Sequence, residues 1–207
     1  MRYRRIPDEA VRRLPLYLRA LAYFAQRGDR SVSSSSLAEF VGVNAGQIRK
    51  DISYFGVFGT PGVGYGVDNL TLQVRKILKL TTVHRAAIVG VGNLGSALMA
   101  YPGFRTYGFD IAVAFDSDRR KVGKVINKVR IEDAAGLGSL RRRRVNLGII
   151  TVPREAAQET ADGLVRAGVK GILNFSGCYL NVPRNVKVVT IDIATELARL
   201  PYYMPAG

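Results

Sequence analysis

The sequence predicts an α/β protein: an N-terminal winged helix-turn-helix, a Rossmann-type doubly wound parallel sheet, and a last helix. Three observations carry this reading. A glycine fingerprint, Gly90-Val91-Gly92-Asn93-Leu94-Gly95, follows the apolar run Ala86-Ala87-Ile88-Val89 and leads into helix-forming Ser96-Ala97-Leu98-Met99. Strand and helix patterns alternate behind it, as in a parallel sheet. Ahead of it stand three helical patterns and a glycine-rich hairpin, enough for a small domain of their own.

In chain order, Leu14, Leu18, Leu21, Ala22 and Ala25 recur at helical spacing. They predict a helix over 8–26, ending at Gly28 and kinked by Pro15. Ser36 with Glu39 reads as a capping box that opens a short helix through Phe40. Gly42-Val43 makes a turn, and Asn44 with Gln47 opens a third helix over 45–55. Helix, short helix, turn, helix is the helix-turn-helix pattern. Gly56, Gly59, Gly62, Gly64 and Gly66 alternate with Phe58, Val63, Tyr65 and Val67, which suits a two-stranded wing with Thr60-Pro61-Gly62 at its tip. Asp68 is expected to cap a fourth helix bearing Leu70, Val74, Ile77 and Leu78, and Thr81-Thr82-Val83-His84 to form a polar linker.

Beyond the linker, strands are expected at 86–90, 110–115, 147–152, 170–174 and 186–190. Helices are expected at 93–100, 132–141, 153–167 and 192–200. The domains are then 1–81, 82–191 and a C-terminal segment, 192–207. Arg141 to Arg144 should close the second of these helices, favourably placed at its dipole and facing solvent.

The 207 residues include 31 Lys/Arg against 16 Asp/Glu, a net charge of +15. Such an excess calls for a polyanionic partner, and nucleic acid fits better than membrane because no basic amphipathic helix stands alone. Residues 1–80 and 81–207 carry +7 and +8, so charge does not say which half binds it. One cysteine, Cys178, allows no intrachain disulfide, which fits a reducing cytoplasm. Asp8, Glu9, Arg12 and Arg13 leave no signal-peptide core, and the uncharged stretch 86–104 is broken by four glycines, Asn93 and Pro102.

Three features of context strengthen the fingerprint: a strand before it, a helix after it, and Asp116 at the end of the next strand. Gly90 would permit the tight turn, Gly92 the close approach of backbone to a pyrophosphate, and Gly95 helix-to-sheet packing. Backbone N–H groups at the helix start would hold the phosphates. Asp116 would accept from a ribose 2′-hydroxyl and favour NAD(H), while Arg119, Arg120 and Lys121 are equally able to grip a 2′-phosphate. In the third helix, Ile48, Ile52 and Phe55 should face the core. Gln47, Lys50, Asp51 and Tyr54 should face outward, with Arg49 and Ser53 flanking. Gln pairs with adenine and Lys donates to guanine, so this face is equipped to read bases.

The run from Gln47 to Gly56, followed by Gly62-Val63-Gly64-Tyr65, resembles the winged-helix signature of the Rex family of redox-sensing transcriptional repressors. The second half resembles it too, at 89–95, Tyr101-Pro102-Gly103-Phe104, 151–158 and 168–175, so the likeness runs from about Ile6 to Leu200. It implies a homodimer that binds double-stranded palindromic operator DNA and lets go when NADH binds, with the C-terminal helix swapped between subunits. It also implies cofactor (NADH/NAD+) contacts from Gly90, Val91, Gly92, Asn93, Leu94, Gly95, Asp116, Tyr101, Thr151 and Pro153. Redox sensing would fall to Arg19, Tyr101 and Asp192. DNA contacts would come from Ser33, Ser34, Asn44, Gln47, Arg49, Lys50, Ser53 and Tyr54, and in the wing from Gly62, Gly64 and Tyr65.

The sequence departs from that pattern in three places. Pro61 stands where many relatives carry a basic residue. Ser176-Gly177-Cys178 replaces the usual Ala-Pro after Asn174-Phe175. Pro201 and Pro205 cut the last helix short. A rival reading is an NAD-dependent dehydrogenase with a basic extension. It fares badly, because the sole histidine, His84, precedes the first Rossmann strand and only Tyr101, Cys178 or a carboxylate could serve as the general acid/base. A third reading keeps DNA binding and makes the Rossmann half only a dimerisation scaffold. No catalytic residue, small-molecule substrate, metal or membrane is expected.

Overall fold

A computed structural model describes residues 6–60 and 62–204, and the chain divides into two compact units, 1–82 and 83–207. Pro61, Pro205 and the first five residues lie outside the described part, so the expectation for Pro61 falls there.

In the first unit, α1 (Asp8–Gln26) runs unbroken through Pro15. Its buried stripe is Ala10, Leu14, Tyr17, Leu18, Ala20 and Leu21, and Pro15 is tolerated on the exposed face. Strand β1 (Ser31–Val32) precedes α2 (Ser34–Val41). The cap of α2 is Ser33, whose hydroxyl accepts from the Ser36 N–H at 2.9 Å, so the helix opens earlier than the Ser36–Glu39 pattern suggested. Gly42, in the left-handed region at φ 75°, closes it. Helix α3 (Ala45–Ser53) is capped as expected by Asn44, whose Oδ1 accepts from the Gln47 N–H at 2.8 Å.

The wing is real and gains a strand. Antiparallel β2 (Gly59–Thr60) and β3 (Gly64–Gly66) pair with each other, and β1 joins the far side of β3. Two residues of β1 are too few for any periodicity to announce. Gly64, at φ 97°, lies so close to Val32 that a Cβ would meet its carbonyl. Helix α4 (Val67–Ile77) follows β3 directly with Gly66 at its N-cap, which overturns Asp68 as the cap: Asp68 lies inside the first turn.

The second unit is a seven-stranded sheet. Its strands are β4 (His84–Val89), β5 (Phe109–Asp116), β6 (Val125–Ile126), β7 (Val129–Asp133), β8 (Leu147–Ile150), β9 (Gly171–Asn174) and β10 (Lys187–Thr190). Their order is β10-β9-β8-β4-β5-β7-β6, parallel except for the β6–β7 hairpin. Two apolar clusters sit on the two faces. Ala87, Val89, Val113, Phe115 and Ile150 pack with Ala157, Ala161 and Leu164 of α7 (Arg154–Arg166). Ala86, Ile88, Ile111, Ala114 and Ile149 pack with Met99 of α5 (Asn93–Ala100) and with Phe104 of α6 (Gly103–Thr106).

Four expectations for this unit are corrected. His84 starts β4 with its ring 5.8 Å from that of Phe109, so it is sheet and not linker. In place of a helix over 132–141 the chain forms β7 and then a 3-10 helix, Ala134–Leu140. Gly136 and Gly138 weaken an α-helix there, and buried Ile131 ties the preceding segment to Ala114 of β5. Arg141 to Arg144 therefore follow a 3-10 turn. Arg143 is no solvated charge, because it makes a two-pronged bond to Glu132 at 2.8 and 3.0 Å. The last described elements are α8 (Ile193–Leu197), shorter than the helix expected over 192–200, and a 3-10 turn, Leu200–Tyr203.

Candidate functional site

The chain runs from β4 outward to β5 and β7, then returns to build β8, β9 and β10 on the other side. The strand order therefore reverses between β4 and β8. At such a switch point the loops after the two strands part and leave a crevice. Here those loops begin with Gly90 and Thr151, and the cleft they open measures about 1220 Å³. Thr151 Oγ1 donates to the Gly90 carbonyl at 2.6 Å, and Gly90 N–H donates to Phe115 O at 2.8 Å, which pins the glycine turn from both sides.

The three glycines serve separate ends. Gly90 adopts φ 96°, and a Cβ there would meet Thr151 and Val152. A Cβ on Gly95 would run into the Gly90 carbonyl, so helix α5 can cross β4 this closely only without a side chain. A Cβ on Gly92 meets nothing within 4 Å; it would project into the cleft, the space that a phosphate group needs.

Asp116 stands at the end of β5, 7% exposed. Its Oδ2 accepts from Val91 N–H at 2.7 Å and from Lys121 Nζ at 3.0 Å, and its Oδ1 accepts from Asp118 N–H at 2.8 Å. Burial alone would raise this carboxyl, but the bonds from Asp118, Lys121 and Val91 outweigh it and hold the group below its ordinary value. One expectation changes as a result. The Val91 N–H is spent on Asp116, so the donors open at the helix start include those of Gly92, Asn93 and Leu94 but not that of Val91. The cations after β5 also separate: Lys121 pairs with Asp116, and Arg120 grips Asp118 at 3.0 and 2.9 Å, bringing that carboxyl to about 2.

Thr151 and Pro153 line the same cleft; Tyr101 does not. Tyr101 is 57% exposed, packs its ring edge-on against Phe104 at 5.6 Å, and lines a separate apolar groove of about 410 Å³ with Ile111 and Leu173. Asp192 caps α8, accepting from Ala194 N–H at 3.0 Å and Thr195 N–H at 3.3 Å. Arg19 is an exposed residue of α1. In the departing loop, fully buried Asn174 donates to the Cys178 carbonyl at 2.8 Å and accepts from Ser176 N–H and Oγ at 3.0 and 2.6 Å. Ser176-Gly177-Cys178 thus folds onto Asn174. Lys121, Glu159, Thr160 and Arg166 also line the cleft, and only Lys121 among them carried a signal in the sequence, through its place after Asp116.

In the first unit a groove of about 530 Å³ runs between α3 and the wing. Ser33, Ser34, Arg49 and Ser53 line one side; Gly62, Gly64 and Tyr65 line the other. Arg49 Nη1 donates to Ser34 Oγ at 2.9 Å, joining the start of α2 to the outer face of α3. Lys50 is exposed beside it, and Tyr54 is half-buried just past the helix end. Tyr65 is only 8% exposed and its ring lies against Gly59, so it holds the ribbon together.

Asp51 departs most from expectation. Counted as outward-facing, it is 0% exposed. Arg13 Nε and Tyr17 Oη donate to its Oδ2, each at 2.6 Å, and Arg13 Nη2 and Gln47 Nε2 donate to its Oδ1 at 3.0 and 2.6 Å. Arg13 and Tyr17 come from α1, more than thirty residues away, so nothing local in the sequence marked the contact.

Comparison with known proteins agrees with both units. Residues 5–53 match the family model described as "Putative DNA-binding protein N-terminus", and 81–177 match that of a CoA binding domain. The chain is 46% identical over 199 residues to the redox-sensing transcriptional repressor Rex of Carboxydothermus hydrogenoformans, covering 96% of each chain. It is 44% identical to that of Chloroflexus aurantiacus, covering 96% of this chain and 94% of the relative. Among solved structures it superposes on RSP, a Rex-family repressor, in complex with β-NAD+ and operator DNA, with a TM-score of 0.89 and 36% identity over 96% of this chain and 92% of that one. On the complex of RSP with β-NADH the TM-score is 0.88 at 35% identity, covering 96% and 93%. The chain belongs to the Rex family of redox-sensing transcriptional repressors.

Proposed function

We propose that this protein represses transcription as a cytoplasmic homodimer that holds palindromic operator DNA and releases it when NADH occupies the Rossmann cleft. The observation that carries the reading is the pairing, in one chain, of a helix-and-wing groove with a nucleotide cleft at the strand-order reversal. As a Rex-family member the protein is a regulator and not an enzyme, which removes the dehydrogenase reading.

The Gly92, Asn93 and Leu94 N–H groups would face the pyrophosphate, and Asp116 the adenosine ribose. Gly90, Val91 and Gly95 act through the shape of the turn, while Thr151 and Pro153 form the opposite wall. The cofactor supplies a nicotinamide that is cationic when oxidised and neutral when reduced. From the family resemblance, Arg19, Tyr101 and Asp192 are the groups proposed to sense that charge, since an ionised side chain responds oppositely to the two forms. On the DNA side, Ser33, Ser34, Arg49, Lys50 and Ser53, with Gly62 and Gly64 of the wing, would meet backbone and bases. Asn44 and Tyr65 support them by capping and packing.

Support for the dimer comes from the C-terminal segment, where Ile193, Leu197 and Tyr202 are 66%, 63% and 86% exposed. An apolar row of this kind belongs in an interface.

The test is release of a labelled operator duplex during NADH titration. NADH should displace the DNA and NAD+ should not, with a free-energy preference for the released form of roughly 5 kcal/mol for a full reversal. Equal displacement by both forms would show that the cleft does not sense redox state. A lack of calorimetric NADH binding would favour the scaffold reading.

A further inference from the structure

Gln47 is the half-exposed residue of α3 whose side chain is fixed before any DNA arrives. Its anchor is Asp51, one turn later and fully buried, with four donor contacts on its two oxygens. A carboxylate in such a setting only accepts, so the amide nitrogen must face Asp51 and the carbonyl Oε1 must face away. Arg13 holds the carboxylate ionised, burial notwithstanding. Among the described residues the Gln47 side chain makes no other hydrogen bond, which leaves Oε1 as an acceptor and one amide hydrogen as a donor for a base edge.

An acceptor beside a donor matches one base edge in the major groove. Adenine offers the N6 donor and the N7 acceptor together; guanine offers two acceptors, cytosine a donor alone, and thymine an acceptor and a methyl group. Each of the last three would strand one atom of the amide. A side chain already locked in place also loses less rotamer freedom on docking than a free one.

We propose that Gln47 selects adenine at one position of each operator half-site, and that Asp51, held by Arg13 and Tyr17, is the positioning residue that sets its amide for that base. This rests on the reading of α3 as the DNA-reading helix.

The experiment is selection by the full-length protein from a randomised duplex library. Affinities then follow for the enriched duplex and its base-pair variants. The wild type should prefer adenine at one half-site position by roughly ten-fold or more. Gln47→Ala should erase that preference and leave the other positions unchanged. Gln47→Glu, which an ionised Asp51 repels, should shift it to cytosine, whose N4 donates to a carboxylate. Asp51→Asn should blunt the same position only, with the preferences at the other positions and the circular dichroism spectrum unchanged as proof that the first unit is folded. Tyr17→Phe, which removes one of the four bonds, should blunt it less, and it decides the positioning role if Asp51→Asn does not fold. The proposal is overturned if Gln47→Ala changes every position equally or none, or if the position it controls is not adenine. It is also overturned if folded Asp51 and Tyr17 variants keep the wild-type profile. Enrichment of no sequence at all would instead count against α3 as a reading helix.

Discussion

Two aspartates show how much a carboxylate's neighbours decide. Asp116 is expected from the sequence to accept from a ribose hydroxyl, and in the structure it is already bonded to Lys121, Asp118 and Val91. The ammonium of Lys121 cancels much of the charge that would repel a 2′-phosphate. Lys121→Ala should therefore sharpen discrimination against NADPH, by about 1 kcal/mol or more in relative affinity, when both nucleotides are titrated calorimetrically. An unchanged NADH/NADPH ratio would mean that the pair is only structural. Asp51 has the opposite history: read as surface, it is buried. Burial would raise its carboxyl, but the bonds from Arg13, Tyr17 and Gln47 prevail and hold it below the ordinary carboxylate range. A depressed folded value contributes stability that is complete above the unfolded value of about 4 and is lost as pH falls through the folded one. Acid unfolding of the first unit, followed by circular dichroism, should therefore begin below about pH 4. Asp51→Asn should flatten that dependence and cost about 2–3 kcal/mol at neutral pH. An unaltered acid transition would remove Asp51 from the account.

At the scale of elements, the fingerprint turn separates fold from function in one short loop. Gly92 faces open space and Gly95 faces the Gly90 carbonyl. Gly92→Val should leave unfolding within about 0.5 kcal/mol of wild type while abolishing NADH binding. Gly95→Ala should instead cost about 1–3 kcal/mol in stability, because α5 must back away from β4. Denaturant melts and calorimetry on both variants check the pair, and the reverse pattern would mean that the two glycines have been assigned the wrong way round. The strands β4, β5, β8, β9 and β10 were legible because each is a compact apolar run between turn residues. The β6–β7 hairpin and the two-residue β1 were not, since their pairing partners lie on other segments and their own length carries no period. The segment 132–141 misled for a related reason: an Ala- and Leu-bearing pattern says helix, while Ile131 gains more by burial beside β5.

For the whole molecule, exposure is the informative quantity. Leu197, Leu200, Tyr202 and Tyr203 are all more than half exposed within one short C-terminal segment, the kind of apolar cluster that an interface covers. On the proposed dimer and palindromic operator, Leu197→Arg should yield a monomer in analytical ultracentrifugation that still binds NADH and loses most of its operator affinity, since two half-sites would no longer act together. A dimer of wild-type strength would place the interface elsewhere. No helix among the described residues is long and apolar enough to cross a membrane.

Patterns that repeat within a few residues were enough to specify the helices of the first unit, five strands of the parallel sheet, the cap at Asn44, the fingerprint and the resemblance to the family, because they depend on neighbours close along the chain. Which donors Asp116 and Asp51 would meet, and which N–H groups would stay open for a phosphate, depends on segments brought together only by folding. A hydrogen bond is made to whatever lies within 3 Å in space. Its partner on α1 or beyond β5 leaves no periodic trace beside the residue that receives it.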